Sequence, residues 1–273
     1  MKAPNHVNTL FVILIASSTC LAGVSDGLVA YYPFNGNADD TSGNGHHGGI
    51  FGALLTSGYN GHPNSAYEFD GINDYVNVPY SAAFQLPAFT LSAWIRPTID
   101  LRTWAVHIVA QGEDWTSDHA AAMLGSGTGD PAWAGTGIRL YYEDNGDSDF
   151  IYDSGVFPAL DKWSHVAASR NLIGDVKVYV DGACLGSWSG TPAPTTECFQ
   201  DYTIGAYWTI DHPGGPHVLG GTFPGGIDEV RIYNRALSGD EIAKLATIPA
   251  PAALLLGTLG TALVGWLRRR RTL

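Results

Sequence analysis

"FTLSAWIRP", residues 89–97, alternates: Phe89, Leu91, Ala93 and Ile95 fall on one side of an extended chain, with Trp94 and Arg96 on the other. A period of two is what a strand covered on one face by a core requires. "VKVYVDG", residues 176–182, repeats it with Val176, Val178 and Val180 against Lys177 and Tyr179. "GLVAYYPF", "GIRLYYED", "FIYDSG", "KWSHVAASR", "DYTIGAYW" and "GIDEVRIYN" continue the series between Gly, Asn and Asp clusters that mark turns. "SAYEF" and "DYVNV" flank "DGIN", which reads as a hairpin connection with Asp70 and Asp74 as turn formers. Together these runs predict an all-β, two-sheet antiparallel sandwich. A single helix is marked, in "LSGDEIAKLA", where Ser238 stands three residues before Glu241 as in a capping box. The stretch "TSDHAAAMLGSGTGDPAWAGTG" has the weakest pattern and reads as a strand pair with a long loop.

The two ends differ from this middle. Residues 10–16 are apolar, and Cys20-Leu21-Ala22 places a small residue at each end of a triplet, so residues 1–22 read as a secretory signal peptide cut after Ala22. A lipoprotein site at Cys20 is the rival, with Ser17 where an aliphatic residue is usual. At the other end "IPAPAALLLGTLGTALVGWLRRRR" follows a sandwich segment of residues 23–247, and residues 252–267 are apolar on every side. Such a run ended by Arg268, Arg269, Arg270 and Arg271 reads as a transmembrane helix whose basic end stays inside. Removing both ends leaves nine of the 14 Lys and Arg against 26 Asp and Glu, a formal charge of −17. That balance excludes nucleic acid and anionic lipid as partners and suits neutral glycans or divalent cations. Export also suits a disulfide between Cys184 and Cys198, the alternative being two separate buried thiols.

The blocks "GLVAYYPFNGNADDTSGNGHHGGIFGA", "AYEFDGINDYVNVP", "FTLSAWIRP", "KWSHVAASR", "VKVYVDG" and "GGIDEVRIYNRALSGDEI" resemble, in order, those of laminin-G-like (LamG) jelly rolls of the concanavalin A-like lectin and glucanase superfamily. The resemblance runs over residues 27–245 and implies a jelly-roll fold with lectin, adhesion or hydrolase functions. The tail resembles the PEP-CTERM sorting signals of Gram-negative bacteria, with Pro249-Ala250-Pro251 lacking the acidic residue of that motif. That likeness implies transient anchoring in the inner membrane, removal by an exosortase-type transpeptidase, and a place at the cell surface or in the extracellular matrix. A permanent anchor is the alternative.

Glucanases of this superfamily set their acids alternately along one strand. The chain has no Glu-x-Asp-x-Glu run, and the adjacent acids of "GIDEV" are expected to point to opposite faces. The reading is therefore not an enzyme, with an unrecognised glycan-active enzyme as the alternative. "NGNADDTSGNG" bunches Asp39, Asp40, Asn35 and Asn44 among glycines, a loop able to offer oxygens to Ca²⁺ or simply to form a solvated turn. The family resemblance implies a structural calcium on Asp40 and Asp228, with Asp39 as the alternative. His46, His47, His212 and His217 are a weaker pairing for a transition metal. Trp104, Trp115, Trp133, Trp188, Tyr207 and Trp208 lie near turns and strand ends, where flat rings can stack on sugars. The expectation is an exported module that binds a polysaccharide or surface glycoconjugate. The rival is a structural or adhesive surface protein whose partner is another protein.

Overall fold

The computed structural model describes residues 23–102, 105–114, 121–126, 137–145, 148–195, 198–210 and 217–247. The expected signal peptide and sorting tail lie outside them. The first strands are β1 (Leu28–Tyr32), β2 (Gly49–Phe51), β3 (Leu54–Thr56), β4 (Ala66–Asp70), β5 (Tyr75–Val78) and β6 (Phe89–Pro97). Then come β7 (Val106–Gln111), β8 (Glu113–Asp114), β9 (Ala122–Ser126), β10 (Ile138–Glu143), β11 (Asp149–Asp153) and β12 (Ser164–Arg170). The last are β13 (Val176–Val180), β14 (Ala183–Trp188), β15 (Tyr202–Ile204), β16 (Tyr207–Ile210), β17 (His217–Gly220) and β18 (Pro224–Tyr233), before helix α1 (Gly239–Leu245).

These strands make two large antiparallel sheets, the layers of a jelly-roll sandwich. One runs β14-β13-β12-β6-β18-β4-β3, with β1 on β18; the other runs β11-β10-β9-β7-β15-β5-β2. The alternating residues face each other between them. Leu91, Ala93, Ile95, Val166, Val178 and Ile227 from the first sheet meet Val76, Ile108, Leu124, Ile138 and Leu140 from the second in one core. A small third sheet, β17-β16-β8, packs on the seven-stranded sheet through Tyr207, against Ala110 and Met123.

Three features depart from the sequence expectations. First, "DGIN" is not a hairpin: β4 belongs to one large sheet and β5 to the other. Asp70 Oδ1 accepts the N–H groups of Ile72 and Asn73, and Asp74 Oδ2 accepts that of Asp70, so the tight turn arches between sheets. Second, β6 is buried on both faces. Its outer side lies under α1 and under residues 57–65, and Trp94 Nε1 donates to Leu245 O at 3.3 Å. Third, the register of β18 against β6 shifts between Asp228 and Arg231, at Glu229 with φ 54°. This bulge turns Glu229 to the outer face beside Asp228, where it accepts from Tyr31 Oη and pairs with Arg231. The two acids of "GIDEV" therefore share a face. Of the weakly patterned stretch, residues 122–126 form β9, and residues 115–120 and 127–136 lie outside the described set.

Helix α1 follows the capping-box expectation. Ser238 Oγ accepts from Glu241 N–H, and Glu241 returns a bond to the Ser238 backbone. Ile242 packs with Leu237, Tyr233, Tyr179 and Ala167 on the outer side of the eight-stranded sheet. No helix among the described residues is long and apolar enough to cross a membrane.

Candidate functional site

An open cleft of about 320 Å³ lies at one end of the sandwich, lined by Asp70, Gly71, Ile99, Ala105, Gly221, Thr222 and Pro224. The arch between β4 and β5 supplies Asp70 and Gly71, the two ends of the β6–β7 connection supply Ile99 and Ala105, and the entry to β18 supplies Gly221, Thr222 and Pro224. Hydrogen bonds hold these pieces together. Thr222 Oγ1 donates to Gly71 O at 2.6 Å, and Thr98 N–H donates to Pro224 O at 3.0 Å. Asp70 is exposed, and its Oδ2 takes no hydrogen bond among the described residues. The lining thus sets a carboxylate oxygen beside the apolar surfaces of Ile99, Ala105 and Pro224.

Gly221 joins the cleft to the small sheet. Its φ is 50°, and a Cβ there would run into the His107 ring and come within 3.0 Å of Tyr207 Cδ1. Only glycine fits this close approach. His107 N–H donates to Gly221 O at 2.7 Å, and its ring lies 4.3 Å from that of Tyr207. Burial, then the nearby Arg139 charge, drives His107 down to about 3, so its imidazole is neutral at physiological pH. Beyond Tyr207, Trp208 meets Tyr75 edge to face at 5.6 Å, and Tyr75 stacks on half-exposed Phe51 at 4.6 Å. These rings form an aromatic ridge leading from the side of the cleft to the sandwich edge.

Of the six aromatic residues expected at a ligand, Tyr207 and Trp208 stand on this ridge. Trp188 does not: it packs on the main core beside Tyr152 at 5.2 Å. Trp104, Trp115 and Trp133 lie outside the described residues, as do His212, Pro249, Pro251 and Arg268 to Arg271. Sequence reasoning missed the cleft itself, because Asp70 was assigned only to a turn.

The carboxylates expected to hold calcium differ in their surroundings. Asp40 is filled by β1 and its own loop: Oδ1 accepts from Tyr31 N–H and Ser42 N–H, and Oδ2 from Ser42 Oγ and His46 N–H. Burial raises its pKa, but these four bonds outweigh that and leave it below the ordinary value. Exposed Asp39 accepts from Asn37 Nδ2 and lies 3.6 Å from His47. Asp228 is buried on β18 beneath residues 57–65. No group of three or more His, Cys, Asp or Glu among the described residues is arranged to hold a metal. Both Asp40 oxygens are thus spent on hydrogen-bond donors, whereas Asp228 Oδ1 takes no hydrogen bond among the described residues.

The expected Cys184–Cys198 bridge is likewise absent, and both residues are thiols. Cys184 is exposed on β14, an edge of the eight-stranded sheet, and its Sγ donates to Gly186 O. Cys198 is buried, near Tyr202 of the other sheet. Cys184 thus sits on a sheet edge and Cys198 in the buried segment before β15.

The family model of the concanavalin A-like lectin/glucanases superfamily (Laminin_G_3) matches residues 69–243. The chain belongs to that superfamily. Among solved structures it is similar to domain 4 of AbnA, a GH43 extracellular arabinanase from Geobacillus stearothermophilus, in complex with arabinotriose. That match has 23% identity and a TM-score of 0.63, covering 81% of this chain and 98% of the other. It is also similar to the binding domain of Paraclostridial Mosquitocidal Protein 1, at 16% identity and TM-score 0.61, covering 82% of this chain and 52% of that one. The binding domain of botulinum neurotoxin DC in complex with SialylT gives 14% identity and TM-score 0.57, with 82% and 52% covered. The chain thus spans about half the length of these toxin domains. No curated protein matches the chain.

Proposed function

We propose that this protein is an exported, non-enzymatic module that binds carbohydrate through the cleft at the Asp70–Gly221 end of the sandwich. The observation that carries the reading is the cleft's lining, in which the exposed Asp70 carboxylate adjoins the apolar surfaces of Ile99, Ala105 and Pro224. A sugar ring offers apolar C–H faces and hydroxyl donors, and this pairing suits both. The arabinotriose bound by the arabinanase domain and the SialylT bound by the botulinum domain support it as an analogy of fold. Ile99→Asp should weaken binding of a neutral oligosaccharide at least tenfold in calorimetric titration with the fold unchanged. Equal affinity for the variant and the wild type would remove the cleft from the account.

The tail reading is part of the same proposal. Residues 1–22 direct export, and residues 248–273 hold the chain in the inner membrane until an exosortase-type transpeptidase cuts near Pro249-Ala250-Pro251. The mature chain then lacks residues 254–273 and is displayed at the surface or in matrix polysaccharide. Intact-mass measurement of native material should show that truncation; a chain still ending at Leu273 in the inner membrane would make the tail an anchor. The adhesive alternative draws on one surface. Ile50, Phe51, Leu54 and Ile72 are 41, 48, 71 and 75% exposed around the edge strands β2 and β3, an apolar run suited to protein contact.

A further inference from the structure

The outer face of the eight-stranded sheet carries a second constellation that the cleft does not use. Strands β18, β6 and β12 place Asp228, Trp94 and His165 side by side in one cross-strand row. Ser92 stands two residues before Trp94, on the same face of β6. Asp228 and Trp94 are 1% and 2% exposed, and His165 and Ser92 are fully buried. Asp228 Oδ2 accepts the Tyr59 N–H at 3.1 Å. Its Oδ1, the Ser92 Oγ and both ring nitrogens of His165 have no hydrogen-bond partner among the described residues. Four such atoms in one neighbourhood are rare, because burying a polar group without a partner is costly.

Residues 57–65 roof this row. The Tyr59 ring lies flat on Trp94, centroids 4.4 Å apart and planes 20° apart. Gly58 packs so close that a Cβ would run into Asp228 Oδ2 and Ser65 Oγ. Of its other bonds, Gly58 N–H to His62 O, Gly61 N–H to Gly58 O and Ser65 Oγ to His62 O close the strap on itself, and Ser65 N–H to Thr56 O ties its base to β3. One hydrogen bond and one stacked ring fasten the strap to the row beneath it.

An indole face flanked by a carboxyl, a hydroxyl and an imidazole is a combination suited to a sugar ring, which stacks its C–H face and spends its hydroxyls on the polar groups. Tyr59 now lies where that ring would stack, and its N–H takes one of the acceptors. We propose that the Trp94 face, with Asp228, His165 and Ser92, is a second saccharide site, roofed by Tyr59 and opened when residues 57–65 lift. The proposal rests on the carbohydrate reading above but uses the other sheet, so variants separate the two. Burial, then the Arg231 charge, holds His165 down at about 3, which leaves one ring nitrogen to donate and one to accept. While the strap is closed, apparent affinity falls by the open fraction.

The test titrates arabinotriose, cellotriose and sialyllactose onto the wild-type protein and Tyr59→Ala. Tyr59→Ala should bind at least one of them about tenfold more tightly, with a change in tryptophan emission. Adding Ser92→Ala, which removes a partnerless hydroxyl, should lower that affinity at least threefold, while Ile99→Asp in the cleft should leave the gain intact. Equal affinities of wild type and Tyr59→Ala, or a gain that survives Ser92→Ala and vanishes with Ile99→Asp, would overturn the second site alone. No binding by either protein would overturn both sites. Should Tyr59→Ala fail to fold, hydrogen exchange on the wild type decides: saccharide should speed exchange of the Tyr59 amide, and unchanged or slower exchange would contradict the proposal.

Discussion

Asp40 and Asp228 carry the same carboxyl to opposite electrostatic outcomes. Asp40 receives four donors, three from its own loop and one from β1, and is held low despite burial. Asp228, on a sheet interior, receives the Tyr59 N–H; burial pushes it up to about 7, with Glu229 adding to the rise and Arg231 opposing it. A carboxyl that titrates at 3.8 when unfolded and about 7 when folded binds more protons in the native state between those values. Its contribution to stability is whole below 3.8 and is lost as the pH rises to about 7, with an upper bound of roughly 4 kcal/mol. Asp228→Asn keeps an acceptor for Tyr59 but cannot ionise. In denaturant unfolding from pH 4 to pH 7, wild type should therefore lose stability relative to Asp228→Asn, and parallel curves would contradict the assignment. The cysteines give a second expectation: native protein should alkylate at Cys184 alone, and unfolded, unreduced protein at both. A linked peptide of Cys184 and Cys198 would contradict it. Neither outcome was legible in the sequence, because "NADDTSGNG" looks the same whether its acids face backbone donors or an ion. Residue spacing likewise does not say in which sheet a cysteine will lie.

Elements were read well wherever one rule governs them. Period two in "FTLSAWIRP" and "VKVYVDG" placed Leu91, Ala93, Ile95, Val176 and Val178 in the core. The Ser238–Glu241 spacing marked the start of α1, since a capping box is local chemistry. What stayed hidden depends on distant partners. "DGIN" has hairpin composition, yet β4 and β5 find their hydrogen bonds in different sheets, and no local signal carries that choice. The bulge at Glu229 is invisible in "GIDEV" because it is set by the register of β18 against both β6 and β1. The cleft was missed for the same reason, being assembled from three separate turns. At this scale α1 makes the sharpest prediction, because it roofs Tyr179 and Tyr233 and its first turn is held by the Ser238 cap. Ser238→Ala should destabilise the protein by about 1 kcal/mol in denaturant unfolding. Arg235→Ala should also release Glu241, which the Arg235 hydrogen bonds, first among several, hold down to about 2. That contribution is present above pH 4.5 and fades as the pH falls through about 2. A Ser238→Ala midpoint equal to wild type would deny the cap its role.

At the scale of the whole molecule, acidity, fold and cleft agree on one class of partner. Without its two ends the chain carries a formal charge of −17, which disfavours polyanions and leaves neutral polymers as the natural target. The jelly roll builds its binding surfaces from turns at the sandwich ends and from sheet faces, and both proposed sites lie on such surfaces. Burial drives His107 and His165 each down to about 3, so both are neutral at physiological pH, and the His165 ring nitrogens make no hydrogen bond to Ser92 Oγ. The binding role proposed above predicts retention of intact glycan without its cleavage. A glycan array probed with the purified mature protein tests this most directly. The predicted result is selective binding to neutral polysaccharides or oligosaccharides, weakened by Ile99→Asp and with no release of reducing ends; an array without signal on any glycan, or steady release of product from a bound one, would contradict it.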